Sequence, residues 1–174
     1  MSKVLKSIVL AGLILAGAAG AARAQNAEET AAFLLFGLED MEAPGPNGLV
    51  RVTQTAKSPA EYVVDLAGRT GTIKVAQISD EKCRFTAERT SAGGETPVRT
   101  NFSFERATLV EEARPGQPPR LVFAGLQCRA LDETTRLLTK PCAPDAVTPP
   151  YGDATRLRRA FDFFRSSFCR PMAF

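Results

Sequence analysis

The sequence predicts an α+β domain, with a helix near each end of the chain and an antiparallel meander of about six strands between them. Three observations predict it. Apolar residues recur at helical spacing over residues 27–39 and again after Asp153. Between these stretches the pattern changes to alternation, clearest where Val98, Thr100, Phe102 and Phe104 face opposite to Arg99, Asn101, Ser103 and Glu105. The connections in that central region are short and polar or rich in Gly and Pro, as hairpin turns are.

In chain order, Met1 to Ala24 reads as a cleavable export signal. Lys3 and Lys6 precede an apolar run from Ile8 to Gly20, and Ala22-Arg23-Ala24 fits the small-x-small cleavage pattern. The run falls short of the roughly 20 apolar residues that a spanning helix needs. No second candidate follows it, and no cysteine near the cleavage site offers a thiol for lipidation. The expected product is a single exported domain, residues 25–174, periplasmic or secreted, without a transmembrane segment. Its loss of Lys3, Lys6 and Arg23 leaves basic residues equal in number to the 19 acidic ones. Net charge near zero gives no general attraction to polyanions, so the pI of 8.8 does not argue for nucleic-acid binding.

Asn26 followed by Glu29 forms a capping-box pattern, and the helix it opens is expected from Ala27 to Glu39 with Ala31, Leu34, Leu35 and Leu38 as its main stripe. Ala43-Pro44-Gly45-Pro46-Asn47-Gly48 reads as a string of turn formers that no regular element crosses. Strands are expected at Leu49 to Thr55, Glu61 to Leu66, Thr72 to Ile78, Cys83 to Arg89, Val98 to Val110 and Leu121 to Cys128. Asp153 is placed to cap a final helix whose Leu157, Ala160, Phe161, Phe164 and Phe168 form an apolar stripe that docks on the sheet.

Four cysteines in an exported chain favour two disulfides. In the meander as drawn, Cys83 opens one strand and Cys128 closes another parallel to it, placing them at opposite sheet ends, roughly 20 Å apart. A bridge needs Cα atoms within about 7 Å. Cys83 with Cys169 and Cys128 with Cys142 is therefore the favoured pairing. No C-x-x-C spacing marks a redox pair, and without histidine no mixed zinc site forms, so no metal or cofactor is expected.

The chain contains no histidine, which excludes Ser-His-Asp triads and the helical H-E-x-x-H metal site. No phosphate loop and no G-x-S-x-G elbow occurs. Carboxylates remain as acid and base, with Glu39, Asp40 and Glu42 as one cluster and Asp132 with Glu133 as another; neither is distinctive. No catalytic residue is assigned. Asn101-Phe102-Ser103 is a formal glycosylation sequon, meaningful only in a eukaryotic host.

Two features point to binding instead. Phe85, Phe102, Phe104 and Phe123 share a sheet face opposite a Phe-rich helix, so they either line a site for a small apolar ligand or simply fill a core that has no Trp. Arg156, Arg158, Arg159 and Arg165 either present a patch for an anionic partner or membrane surface, or attract the five acids between Gln25 and Val50 across the fold, or are simply solvated. The leading expectation is a non-enzymatic exported protein that binds a protein partner or a small apolar ligand. A histidine-free hydrolase with a carboxylate pair is the rival reading.

Overall fold

The structure, a computed structural model, describes residues 26–78, 82–91, 96–114, 117–131, 135, 137–138, 140–142 and 153–169. The expected leader, Asp132 and Glu133 lie outside them.

Helix α1 spans Ala27–Phe36. Its capping box is complete: the Glu29 N–H donates to Asn26 Oδ1 at 2.7 Å, and the Asn26 N–H donates to Glu29 Oε2 at 3.0 Å. Such a cap contributes about 1 kcal/mol. The helix ends three residues before the expected Glu39, because Gly37 takes the left-handed conformation (φ 66°), its N–H donating to the Phe33 carbonyl and the Leu38 N–H to the Ala32 carbonyl. Residues 29–35 are all buried, so α1 is enclosed on every side rather than amphipathic.

The strands are β1 (Met41–Gly45), β2 (Gly48–Lys57), β3 (Ala60–Leu66), β4 (Arg69–Gln77), β5 (Arg84–Ser91), β6 (Val98–Ser103), β7 (Thr108–Arg114), β8 (Gln117–Ala124), β9 (Gln127–Ala130) and β10 (Lys140–Pro141). Eight of them form one antiparallel sheet in the order β1-β2-β3-β4-β5-β6-β9-β10, while β7 and β8 pair with each other alone. An antiparallel sheet in largely meander order, preceded by one helix and followed by another, is thus the architecture of the chain.

Two strand expectations are corrected. No strand is expected before Leu49, yet β1 runs into the turn-former stretch 43–48 as far as Gly45 and pairs with β2, Gly45 opposite Gly48, leaving Pro46-Asn47 as the two-residue turn. Pro44 is tolerated because β1 is an edge strand. The single strand expected over Val98 to Val110 is two strands. The chain leaves the sheet after Ser103, turns where the Ala107 N–H donates to the Phe104 carbonyl, and forms the separate β7-β8 hairpin. It returns through Gly125 (φ 74°), where a Cβ would collide with the Arg106 carbonyl oxygen. Cys128 therefore lies in β9, opposite Phe102 of β6, rather than at the end of the hairpin strand.

Helix α2 spans Ala154–Ser167, with Asp153 accepting from the Thr155 N–H at 2.8 Å. Its apolar stripe docks as its spacing requires, with Leu157, Phe161 and Phe164 buried. Cys169, just beyond it, is at bridging distance from Cys83 (Cα–Cα 5.1 Å), and Cys128 from Cys142 (5.3 Å). Among the described residues no helix is long and apolar enough to cross a membrane.

The core lies between the sheet and the two helices. Phe164 has its ring centroid 4.9 Å from that of Phe104 and 5.5 Å from that of Phe85, and Phe104 meets Phe123 of the hairpin edge to face. Tyr62, Val75, Phe85 and Ala87 form the sheet side of this core.

Candidate functional site

Residues paired across neighbouring strands share a face, so the register sorts the side chains. The inner face, under the helices, contains the rungs Ala60-Val75-Ala87-Thr100 and Gln77-Phe85-Phe102-Cys128. On the outer face Glu61, Lys74, Glu88 and Arg99 follow one another across β3 to β6 with alternating charge, and Arg99 reaches Glu88 at 3.1 Å. That outer surface satisfies much of its own polarity.

The helices cover one end of the inner face only. At the start of α1, Asn26 Nδ2 donates to the Lys57 carbonyl, and Glu28 accepts from the Gln77 N–H. At its end Phe36 meets Phe102 edge to face at 6.0 Å. Both ends of α1 thus touch the same pair of rungs, and the helix lies across the strands there. Lying crosswise, it covers a width of about 10 Å along the strands, while the nine residues of β4 reach about 30 Å. Helix α2 is stapled at the same end by Cys83–Cys169 and packs through Phe164 on Phe85.

What remains open is the far end, with Val64, Leu66, Arg69, Gly71, Ile73, Arg89 and Val98 on the inner face. They line a groove of about 540 Å³, within the range of small-molecule sites. Leu66 is 53 % exposed and Val98 43 %, high for apolar side chains on the core side of a sheet. Gly71 sits in the middle of the groove, where a Cβ would come within 2.7 Å of the Thr90 carbonyl oxygen. Arg69 and Arg89 stand on the same surface, and neither has a carboxylate partner among the described residues. An apolar floor with two uncompensated cations suits an amphiphile with a negative head.

The residues that the sequence singled out are placed differently. Phe85, Phe102 and Phe104 are buried and Phe123 partly so, with rings packed against one another or against Phe36, Phe161 and Phe164. They occupy the packing role that the sequence offered as the alternative to a ligand face. Of the four arginines, Arg156 forks onto both Glu39 oxygens and lies 4.8 Å over the Phe33 ring. The hydrogen bond to Glu39 raises its pKa above the ordinary guanidinium value. Arg158 reaches Glu111 at 3.1 Å, and Arg165 donates to the Ala107 carbonyl at 2.7 Å. Arg159 has no such partner among the described residues.

The first carboxylate cluster is dispersed rather than convergent. Glu39 holds Arg156, Asp40 accepts from the Gln54 N–H at 2.6 Å, and Glu42 pairs with Arg51 at 2.8 Å. Near them, buried Tyr62 has its pKa pushed up to about 12, first by burial and then by the charges of Glu29, Asp40 and Glu39. Buried Glu29 is satisfied by the Asn26 N–H and by Gln54 Nε2 at 2.8 Å. No group of three or more metal-ligating side chains occurs among the described residues.

The open groove was missed in the sequence because strands and helices were matched by type and not by length. The signal was present: alternation places Val64, Leu66, Ile73 and Val98 on the core side, and a helix about 10 Å wide covers only part of a strand's length. Comparison with family models, curated proteins and solved structures finds no match to this chain. The functional reading therefore rests on the site alone.

Proposed function

We propose that this protein is an exported, disulfide-stabilised binding protein without catalytic activity, whose open sheet end takes a small amphiphile. The ligand's apolar tail lies on Val64, Leu66, Ile73 and Val98, and its anionic head is received by Arg69 and Arg89. The observation that carries this reading is the pair of unpartnered arginines beside exposed apolar residues on the core side of the sheet. Charge is what selects the occupant: an apolar molecule alone would leave both guanidiniums without a counter-charge. Export to the periplasm or the medium is supported by the Met1–Ala24 pattern and by two cysteine pairs at disulfide distance. The hydrolase alternative is disfavoured by the separate engagement of Glu39, Asp40 and Glu42.

The test is calorimetric titration of the oxidised protein with dodecanoate and with dodecyltrimethylammonium at fixed ionic strength. Saturable binding of the anion, at least tenfold tighter than of the cation and lost in Arg69→Glu/Arg89→Glu, is the expected result. Equal binding of both, or of neither, would sink the reading.

A further inference from the structure

On the outer face, at the other end of the sheet from the groove, the register builds a second array. Arg84, Ser103 and Gln127 form one rung across β5, β6 and β9, and Thr86, Asn101 and Arg129 form the next. A concavity of about 450 Å³ opens over it, lined by five of these six residues. At its centre Ser103 is only 9 % exposed, and its Oγ is buried without any hydrogen-bond partner. A buried hydroxyl left unpaired is costly, and native structures seldom leave one so without a reason.

The surrounding groups define what would pair with it. Asn101 Oδ1 accepts from the Thr86 hydroxyl at 2.9 Å, which fixes the orientation of the amide and leaves its NH2 as a donor. Gln127 adds a side-chain amide with no partner among the described residues. Arg84 is anchored by Glu105 at 3.1 Å through Nε, and Arg129 flanks Asn101. The array itself contains no carboxylate. It is rich in hydrogen-bond donors, the composition that recognises an acceptor with several oxygens.

We infer that Ser103, Asn101, Gln127 and the flanking Arg84 and Arg129 form a binding site for a small oxyanion: a phosphate, sulfate or carboxylate group. The Ser103 hydroxyl and the Asn101 and Gln127 amides supply the directional hydrogen bonds, and the guanidiniums, engaged in contacts of their own, flank them. This site lies on the opposite face from the amphiphile groove and does not depend on it.

The experiment is titration of the oxidised protein with inorganic phosphate, sulfate and acetate against a chloride background of constant ionic strength, followed by calorimetry and melting temperature. Saturable binding of at least one of the three is expected. Ser103→Ala should weaken it about tenfold or more, since a hydrogen bond to a charged group is lost, and should leave the ligand-free melting temperature equal to or above that of the parent. Gln127→Ala, at an exposed position, should weaken binding without altering the fold. Absence of saturable binding by all three anions, or unchanged affinity in both variants, overturns the assignment.

Discussion

Removing the Cys83–Cys169 bridge should cost more stability than removing Cys128–Cys142, and the difference follows from the lengths of chain they close. The first spans 86 residues and the second 14. Loop-closure entropy in the unfolded state then amounts to about 4.6 kcal/mol for the first bridge and about 3.0 kcal/mol for the second. The longer bridge also ties the end of α2 to the strand that carries Phe85, so its loss frees the helix that caps the aromatic core. Against a total stability of about 5–15 kcal/mol, the first loss leaves a marginal protein and the second does not. Urea unfolding of Cys83→Ala/Cys169→Ala and Cys128→Ala/Cys142→Ala, compared with the oxidised parent, measures both. Each variant should show a steeper dependence on urea, because an unfolded chain with one cross-link fewer exposes more surface. A smaller loss for the first variant than for the second would refute the reasoning.

Three further outcomes are expected. Phe164→Ala, deep in the cluster with Phe85 and Phe104, should lower stability by about 3–5 kcal/mol, read as a shift of the urea midpoint at constant slope. Ala67 holds a left-handed conformation (φ 53°) in the β3-β4 turn, so Ala67→Gly should stabilise by roughly 0.5–1 kcal/mol, checked by melting temperature. For Tyr62 the folded pKa of about 12 lies above the unfolded value of 10.0, so the folded state holds the proton more tightly. Stability is complete below pH 10 and falls as pH rises from 10 to 12, by about 2–3 kcal/mol in all. Tyr62→Phe should lack this increment, and the difference between the two unfolding-free-energy curves over that range measures it.

Much of the fold was legible because local chemistry and tertiary structure agree. The Asn26-Glu29 cap, the Asp153 cap and the stripe of Leu157, Phe161 and Phe164 are short-range patterns that the structure uses directly. The errors come from residues whose role is set by a distant strand. Phe104 continues the alternation of β6, so nothing in its neighbourhood announces that the chain leaves the sheet there; the clue is Gly125, which must pass over the Arg106 carbonyl. Ala43-Pro44-Gly45 read as part of the turn and is the end of β1, because an edge strand can accommodate a proline; the turn itself is Pro46-Asn47. The cysteine pairing shows a sound conclusion drawn from a wrong premise. Cys83 and Cys128 lie near the same end of the sheet, separated sideways across β6 by two strand spacings, about 10 Å, and not by the length of a strand. Either separation exceeds bridging distance.

The open groove was hidden for a related reason. Sequence periodicity tells which face of a strand is apolar but not how far along the strand a cover extends. Leu66 and Val98 therefore looked like core residues, and the aromatic residues that looked like a ligand face are the ones the helices fill.

The central claim is that an amphiphile lies on Val64, Leu66, Ile73 and Val98, and a fatty acid with a nitroxide on its tail tests it most directly. Methyl resonances of the oxidised protein would be recorded with the spin-labelled ligand and again after the nitroxide is reduced. The account predicts the strongest paramagnetic broadening at Leu66, Ile73 and Val98, falling off towards Leu157 of α2 and Leu121 of the hairpin. Broadening centred on α2 or the β7-β8 hairpin, or none at any methyl at saturating ligand, would contradict it.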